Sequence, residues 1–129
     1  MRRVCILTGT RAEYGLLKPV MEAVEEHPDL ELSMIATGMH LSEKFGMTER
    51  DITKDGFKID ARVELMPKDD QGMSASIALG EGVAGMARAL GRINPDVLVV
   101  LGDRMEPLAG ALAATYMNIP IAHIHGGDV

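Results

Sequence analysis

The sequence predicts an α/β fold, a doubly wound parallel sheet of the Rossmann-like kind, and three observations carry that prediction. Five short apolar stretches alternate with four stretches of helical spacing, in the order β-α-β-α-β-α-β-α-β; helical crossovers between strands imply a parallel sheet covered on both faces. The run Val97-Leu98-Val99-Val100-Leu101 is apolar throughout and rich in β-branched valine, as in a strand buried on both faces. Three strands break off into polar residues: Thr8-Gly9-Thr10-Arg11-Ala12-Glu13, Gly102-Asp103-Arg104-Met105-Glu106 and His125-Gly126-Gly127-Asp128. In an open parallel sheet the C-terminal strand ends are where ligands bind. The expected strand order is 3-2-1-4-5, which sets Arg11 and Asp103 facing each other across the crevice at the switch point.

The first strand covers residues 3–8. Thr10 and Glu13 have capping-box spacing, and residues 14–26 carry a helical stripe of Leu16, Leu17, Val20, Met21 and Val24. Pro19 falls near the first turn, and His27-Pro28-Asp29 stops the helix. A second strand over 30–37 ends in Thr37-Gly38-Met39-His40. Residues 41–45 read as a short helix, and 46–55 as a loop or a short amphipathic helix. From Gly56-Phe57 a weaker strand alternates Phe57, Ile59, Ala61 and Val63 with Lys58, Asp60, Arg62 and Glu64, the pattern of an edge strand with one wet face.

Residues 66–72 form a charged loop. Ser74 is the expected cap of a long helix running to Ile93, with Ile77, Val83, Ala84, Ala87 and Leu90 inward. Gly80, Gly82, Gly85 and Gly91 lower its helicity, which suits close packing on the sheet or on a neighbouring subunit. Asn94-Pro95-Asp96 ends it. The fourth strand follows, then an Ala-rich helix over 104–116, a turn at Asn118, and a fifth strand over 119–124.

At 129 residues the chain is one domain, large enough to bury a core without metal or disulfide support. Aromatics make up 3% of it and net charge is −6, which argues against single-stranded nucleic acid stacking and nonspecific nucleic-acid binding. Cys5 lies inside the first strand and reads as core. No apolar run reaches membrane-spanning length, and the N-terminal apolar run is too short for a signal peptide. A soluble, cytoplasmic protein is expected.

Each candidate site residue has a plainer role beside it. Asp103 and Glu106 have the spacing of a helix N-cap and its third residue, with Pro107 tolerated in the first turn; as carboxylates at a strand tip they are also active-site candidates. Arg11 and Arg104 lie in helix first turns, where positive charge opposes the macrodipole. That favours an external anion, such as a phosphate held by arginine and helix amides, over two solvated surface side chains. Gly126 and Gly127 suit either an ordinary turn or close approach to a ligand. His123 and His125 point to opposite faces of one strand, so they make a poor metal pair. His123 is expected to pack, leaving His125 as the acid/base candidate. His40, at the second strand tip, is a candidate ligand contact. The first loop is neither Gly-x-Gly-x-x-Gly nor a P-loop, so dinucleotide cofactors and P-loop hydrolysis are disfavoured. No cofactor and no metal are expected.

Taken together, Thr8-Gly9-Thr10-Arg11-Ala12-Glu13-Tyr14-Gly15, Thr37-Gly38-Met39-His40-Leu41-Ser42, Asp55-Gly56-Phe57, Gly102-Asp103-Arg104-Met105-Glu106 and Ile121-Ala122-His123-Ile124-His125-Gly126-Gly127-Asp128 resemble the UDP-N-acetylglucosamine 2-epimerase family. Arg-Ala-Glu-Tyr-Gly and Gly-Asp-Arg-x-Glu are similar to its hydrolysing branch, of sialic and legionaminic acid synthesis; the other branch carries Arg-Pro-Glu and Gly-Asp-Thr. The resemblance implies a GT-B-like enzyme of two lobes, with residues 1–129 as the N-terminal lobe and the C-terminal lobe absent. It implies a UDP-sugar substrate, and a homo-oligomer, dimer or tetramer, for the full-length protein. It also implies elimination of UDP followed by hydration of the glycal to N-acetylmannosamine, or the same chemistry on a 2,4-diacetamido UDP-sugar, with little activity in this chain alone.

By the same resemblance Asp103 is catalytic, Arg11 contacts the UDP portion, and Glu13, His40, Arg104, Glu106, Gly126 and Gly127 bind substrate. His125 stands where members carry Glu, so His125 or Asp128 takes the acid/base work. Three other readings are a non-hydrolysing 2-epimerase, a UDP-sugar-binding lobe without chemistry, and a glycosyltransferase acceptor lobe.

Overall fold

The computed structural model describes residues 1–41 and 48–124. Its strands are β1 (Arg2–Thr8), β2 (Leu30–Thr37), β3 (Ala61–Val63), β4 (Val97–Leu101) and β5 (Ile121–Ile124). All pair in parallel, in the order β3-β2-β1-β4-β5 that the topology rule predicts. The helices are α1 (Arg11–Glu26), α2 (Glu49–Lys54), α3 (Gly72–Ile93) and α4 (Met105–Tyr116), and a 3-10 turn spans Gly38–Leu41.

Strand alternation divides the core into two layers. Val4, Ile6, Met34, Ala36, Val99 and Leu101 pack against Leu17 and Met21 of α1 and Ile52 of α2. Cys5, Leu7, Ile35, Leu98 and Val100 pack against Met86 and Leu90 of α3 and Ala109 and Ala113 of α4. Cys5 is fully buried, and burial raises its thiol to about 12, so it is a core residue and not a nucleophile.

Gly82 and Gly85 bring α3 down onto the sheet: a Cβ on Gly85 would lie 2.7 Å from a methyl of Val63, and one on Gly82 would lie still closer to a methyl of Leu65. Of the two uses expected for these glycines, sheet packing is the one seen at those positions. Gly110 does the same for α4, where a Cβ would meet Leu7 at 2.7 Å.

Several local expectations are corrected. Ser74 does not cap α3, which starts at Gly72 with Gln71 in the cap position. The inward stripe of α3 differs in part from the expected one: Leu90 is buried and Val83 and Ala87 pack against the core as expected. Ala78, Gly82, Met86, Ala89, Leu90 and Ile93 are buried, while Ile77 and Ala84 are exposed. The buried glycine explains this, because the closest approach to the sheet falls at a residue with no side chain to count as apolar. In α1, Leu16 is exposed and Tyr14 takes the inner place.

The third strand is regular over only Ala61–Val63. Asp60 interrupts it: its N–H donates to Met34 O at 2.9 Å, and its Oδ2 accepts from Met34 N–H at 2.9 Å. A side chain thus replaces one backbone acceptor of the ladder. Phe57 and Ile59 enter the α1 layer, whereas Ala61, Val63 and Leu65 enter the α3 layer. Within 46–55 the helix alternative is the one seen, as α2. The expected helix over 41–45 lies, beyond Leu41, outside the described residues.

Candidate functional site

The tips of β1, β2 and β4 come together at one end of the sheet. At β1, Thr10 is the N-cap of α1 and its Oγ1 accepts the Glu13 N–H at 3.1 Å, as the capping box predicts. The Glu13 carboxylate reaches one residue further back than expected and accepts from Gly9 N–H at 2.8 Å. Burial raises the Glu13 pKa; the Gly9 N–H opposes this, the neighbouring Glu106 adds to it, and Arg104 offsets part.

Arg11 does not face Asp103. Its Nε and Nη2 both donate to Asp51 Oδ2 of α2, at 2.9 and 2.8 Å. The switch-point rule places backbone tips side by side, but the side chain turns to a carboxylate that the sequence puts 40 residues away.

At β2, His40 is fully buried. Its Nε2 lies 2.9 Å from Thr8 Oγ1 and its Nδ1 lies 2.8 Å from Thr48 Oγ1. A neutral imidazole has one donor and one acceptor, and two hydroxyls serve both. Burial lowers its pKa to about 4, so the ring is uncharged at neutral pH. His40 therefore braces the floor beneath the crevice in this structure, with both ring nitrogens engaged by the protein. Tyr14 stands edge-on to it and donates to Asp55 Oδ2 at 2.5 Å.

At β4 the arrangement is different. Gly102 turns the chain with φ +81°, a conformation that favours glycine. Helix α4 begins at Met105 with Arg104 in the cap position and no side-chain cap bond. The expected cap at Asp103 is thus corrected: one residue of left-handed turn moves the helix start past it. The Asp103 side chain is 64% exposed and its Oδ1 lies 3.9 Å from His123 Nε2. His123 Nε2 donates to Gly102 O at 2.7 Å, since a carbonyl oxygen only accepts. His123, expected to pack, is exposed at the mouth of the site. Strand β5 is the sheet edge, so neither of its faces is fully covered.

Glu106 is the buried member of the group, at 5% exposure. Its Oε2 has no hydrogen-bond partner among the described residues, and Arg104 Nε stands 3.6 Å from it. Two glycines hold it. A Cβ on Gly9 would fall 3.1 Å from Glu106 Cγ, and one on Gly38, whose φ is +62°, would fall 3.0 Å from Oε1. Gly38 also lines a cavity of about 250 Å³ with Leu41, Glu64, Leu65, Met66, Ala78 and Glu81. His125, Gly126, Gly127 and Asp128 lie outside the described residues. Among the described residues no three His, Cys, Asp or Glu side chains gather to hold a metal ion, and no described helix is long and apolar enough to cross a membrane.

The sequence profile described as UDP-N-acetylglucosamine 2-epimerase matches residues 22–129. The chain belongs to the UDP-N-acetylglucosamine 2-epimerase family. It is 38% identical over 128 residues to a UDP-N,N'-diacetylbacillosamine 2-epimerase (hydrolyzing) of Legionella pneumophila, covering 99% of this chain and 34% of that protein. It is 36% identical over 129 residues to a UDP-N-acetylglucosamine 2-epimerase of Neisseria meningitidis serogroup B, covering 100% and 33%. Among solved structures, the Methanocaldococcus jannaschii UDP-GlcNAc 2-epimerase in complex with UDP-GlcNAc and UDP matches with a TM-score of 0.75 and 29% identity, over 98% of this chain and 33% of that one. The chain thus spans about a third of the length of the curated relatives it matches.

Within the epimerase fold, the β1, β2 and β4 tips gather Glu13, Glu106 and Arg104 around Gly9 and Gly38, with Asp103 and His123 at the rim. Arg11 and His40 belong to the walls through Asp51 and through Thr8 and Thr48. Sequence reasoning missed two features. The rim position of His123 follows from strand five being an edge, which the predicted order already contained. The glycine cradle of Glu106 joins residues of three separate loops and leaves no local signal.

Proposed function

We propose that this chain is the N-terminal lobe of a longer two-lobe enzyme of the hydrolysing branch, acting on UDP-N-acetylglucosamine or a 2,4-diacetamido UDP-sugar. What supports the reading most is Asp103: a carboxylate freed from capping, at a strand tip, beside a histidine and at the same end of the sheet as Glu13 and the buried Glu106. In the proposed reaction a base removes the sugar C2 proton while the C1–O bond breaks and UDP departs. Water then adds to the resulting glycal, its oxygen to C1 and a solvent proton to C2 on the opposite face. The products are UDP and the free 2-epimer. The C2 proton is weakly acidic, so elimination needs a well-placed base and stabilisation of the leaving diphosphate.

Asp103 carries the proton work, with His125 and Asp128 as partners. Arg104 and Arg11 attract the diphosphate. Arg11 exchanges Asp51 for phosphate at small cost, because exposed ion pairs contribute little. Glu13, Glu106, Gly126 and Gly127 contact the sugar. The Gly-Asp-Arg-x-Glu sequence and the hydrolyzing Legionella relative favour this branch.

Proton NMR of the two-lobe protein with each UDP-sugar in deuterated water tests the reading. Free UDP and a C2-deuterated free 2-epimer are expected. A lasting UDP-linked 2-epimer would move the protein to the non-hydrolysing branch, and no reaction on either sugar would overturn the enzyme reading. His125→Ala with unchanged turnover would remove His125 from the mechanism.

A further inference from the structure

We infer that Glu106 is a specificity-determining residue, whose Oε2 accepts a hydrogen bond from one O–H or N–H of the sugar ring. The inference rests on the UDP-amino-sugar reading above and sharpens its Glu106 contact to one carboxylate oxygen, one sugar donor and a role in specificity. A buried carboxylate oxygen needs donors, and Glu106 Oε2 has none among the described residues although the residue is only 5% exposed. Helix capping does not account for it: α4 has Arg104 in the cap position, and Oε2 accepts no N–H of the first turn. Ion pairing accounts for it only loosely. Arg104 Nε is 3.6 Å away, beyond hydrogen-bond length.

The surroundings point to a ligand. Glu106 stands at the ligand-binding end of the sheet, with the backbones of Gly9 and Gly38 close against its Cγ and Oε1. Gly38, where a Cβ would fall 3.0 Å from Glu106 Oε1, also lines the cavity of about 250 Å³. The Arg104 side chain is 54% exposed. It is the part of the lining able to turn outward, toward a diphosphate, as the sugar donor takes its place at Oε2. Charge sets the class of group recognised. A carboxylate accepts from hydroxyl and amide N–H groups and repels phosphate, so Glu106 serves a hydroxyl or N–H donor and not the diphosphate; UDP affinity separates the amino sugar from the ribose and uracil as the source of that donor.

The test measures kcat/KM of the two-lobe protein and its Glu106→Gln variant on UDP-N-acetylglucosamine, on the 2,4-diacetamido sugar, and on analogues each lacking one ring O–H or N–H. UDP affinity and the unfolding midpoint are measured alongside. The glutamine is isosteric, and Glu106→Asp provides a variant that keeps the charge. The expected loss in Glu106→Gln is about 10- to 100-fold on the sugar substrates, with UDP affinity within about 2-fold. On the one analogue that lacks the recognised donor the loss disappears, the non-additivity of a direct contact. An equal loss on every analogue, an equal loss of UDP affinity, or no loss at all would overturn the contact. A wild-type protein inactive on both sugars would instead strike the enzyme reading on which the contact rests.

Discussion

At the tip of β2, His40 is sealed: its ring is buried, both nitrogens face hydroxyls, and burial holds it neutral. Two strands away, at the tip of β4, Asp103 projects from the surface beside His123, and Glu106 is buried with one oxygen unserved among the described residues. Both tips carry titratable groups next to glycines. The β2 tip has used its polar groups to join loops together, and the β4 tip has kept its own in reserve. Buried polar groups in folded proteins are ordinarily satisfied, so the departure at β4 marks where substrate is expected, while the satisfied histidine marks structure.

The largest effect separates the two tips by chemistry. Asp103→Asn in the two-lobe protein is expected to lower turnover about 1000-fold, within the range for a lost acid/base group, with the urea midpoint unchanged because the side chain is exposed. Steady-state kinetics beside urea unfolding check it.

The next effect separates them by pH. Between pH 6.5 and about 4 the unfolded chain protonates His40 and the folded chain does not. Stability is therefore present above that window and falls as pH drops through it, by up to about 3 kcal/mol for this group. Urea unfolding at pH 7, 6, 5 and 4 measures it, and His40→Gln is expected to flatten this component.

Gly38→Ala probes the seam between the tips. The left-handed φ and the 3.0 Å approaches to Glu106 Oε1 and Gly9 O predict a loss of about 1–3 kcal/mol, read as a lower unfolding midpoint. The smallest effect lies on the wall: Asp51→Ala breaks only an exposed pair with Arg11 and is expected to cost under about 1 kcal/mol.

What could be read in the sequence was what periodicity and chain order control. The five strands, their order, the capping of α1 by Thr10 and the burial of Cys5 all follow from local spacing plus a topology rule. The start of α4 is not legible in the capping-box spacing because Gly102 adopts a left-handed turn and the cap position falls on Arg104 instead of Asp103. Part of the α3 face escapes the apolar spacing, which captures Val83, Ala87 and Leu90, because the closest approach to the sheet is made by Gly82 and Gly85. The third strand is shorter than its apolar alternation because Asp60 imitates a backbone acceptor. In the site, carboxylates at strand tips were legible as candidates. Their partners were not, since Arg11 with Asp51 and Glu106 with Gly9 and Gly38 are contacts between segments far apart in the chain.

The most direct measurement is exchange of the sugar C2 proton with deuterated solvent in the Asp103→Asn two-lobe protein, followed by NMR at a UDP-sugar concentration that saturates binding. The account predicts that UDP still binds and that C2 exchange and UDP release fall together. Exchange at the wild-type rate would contradict it, and would place the reactive group somewhere other than the tip of β4.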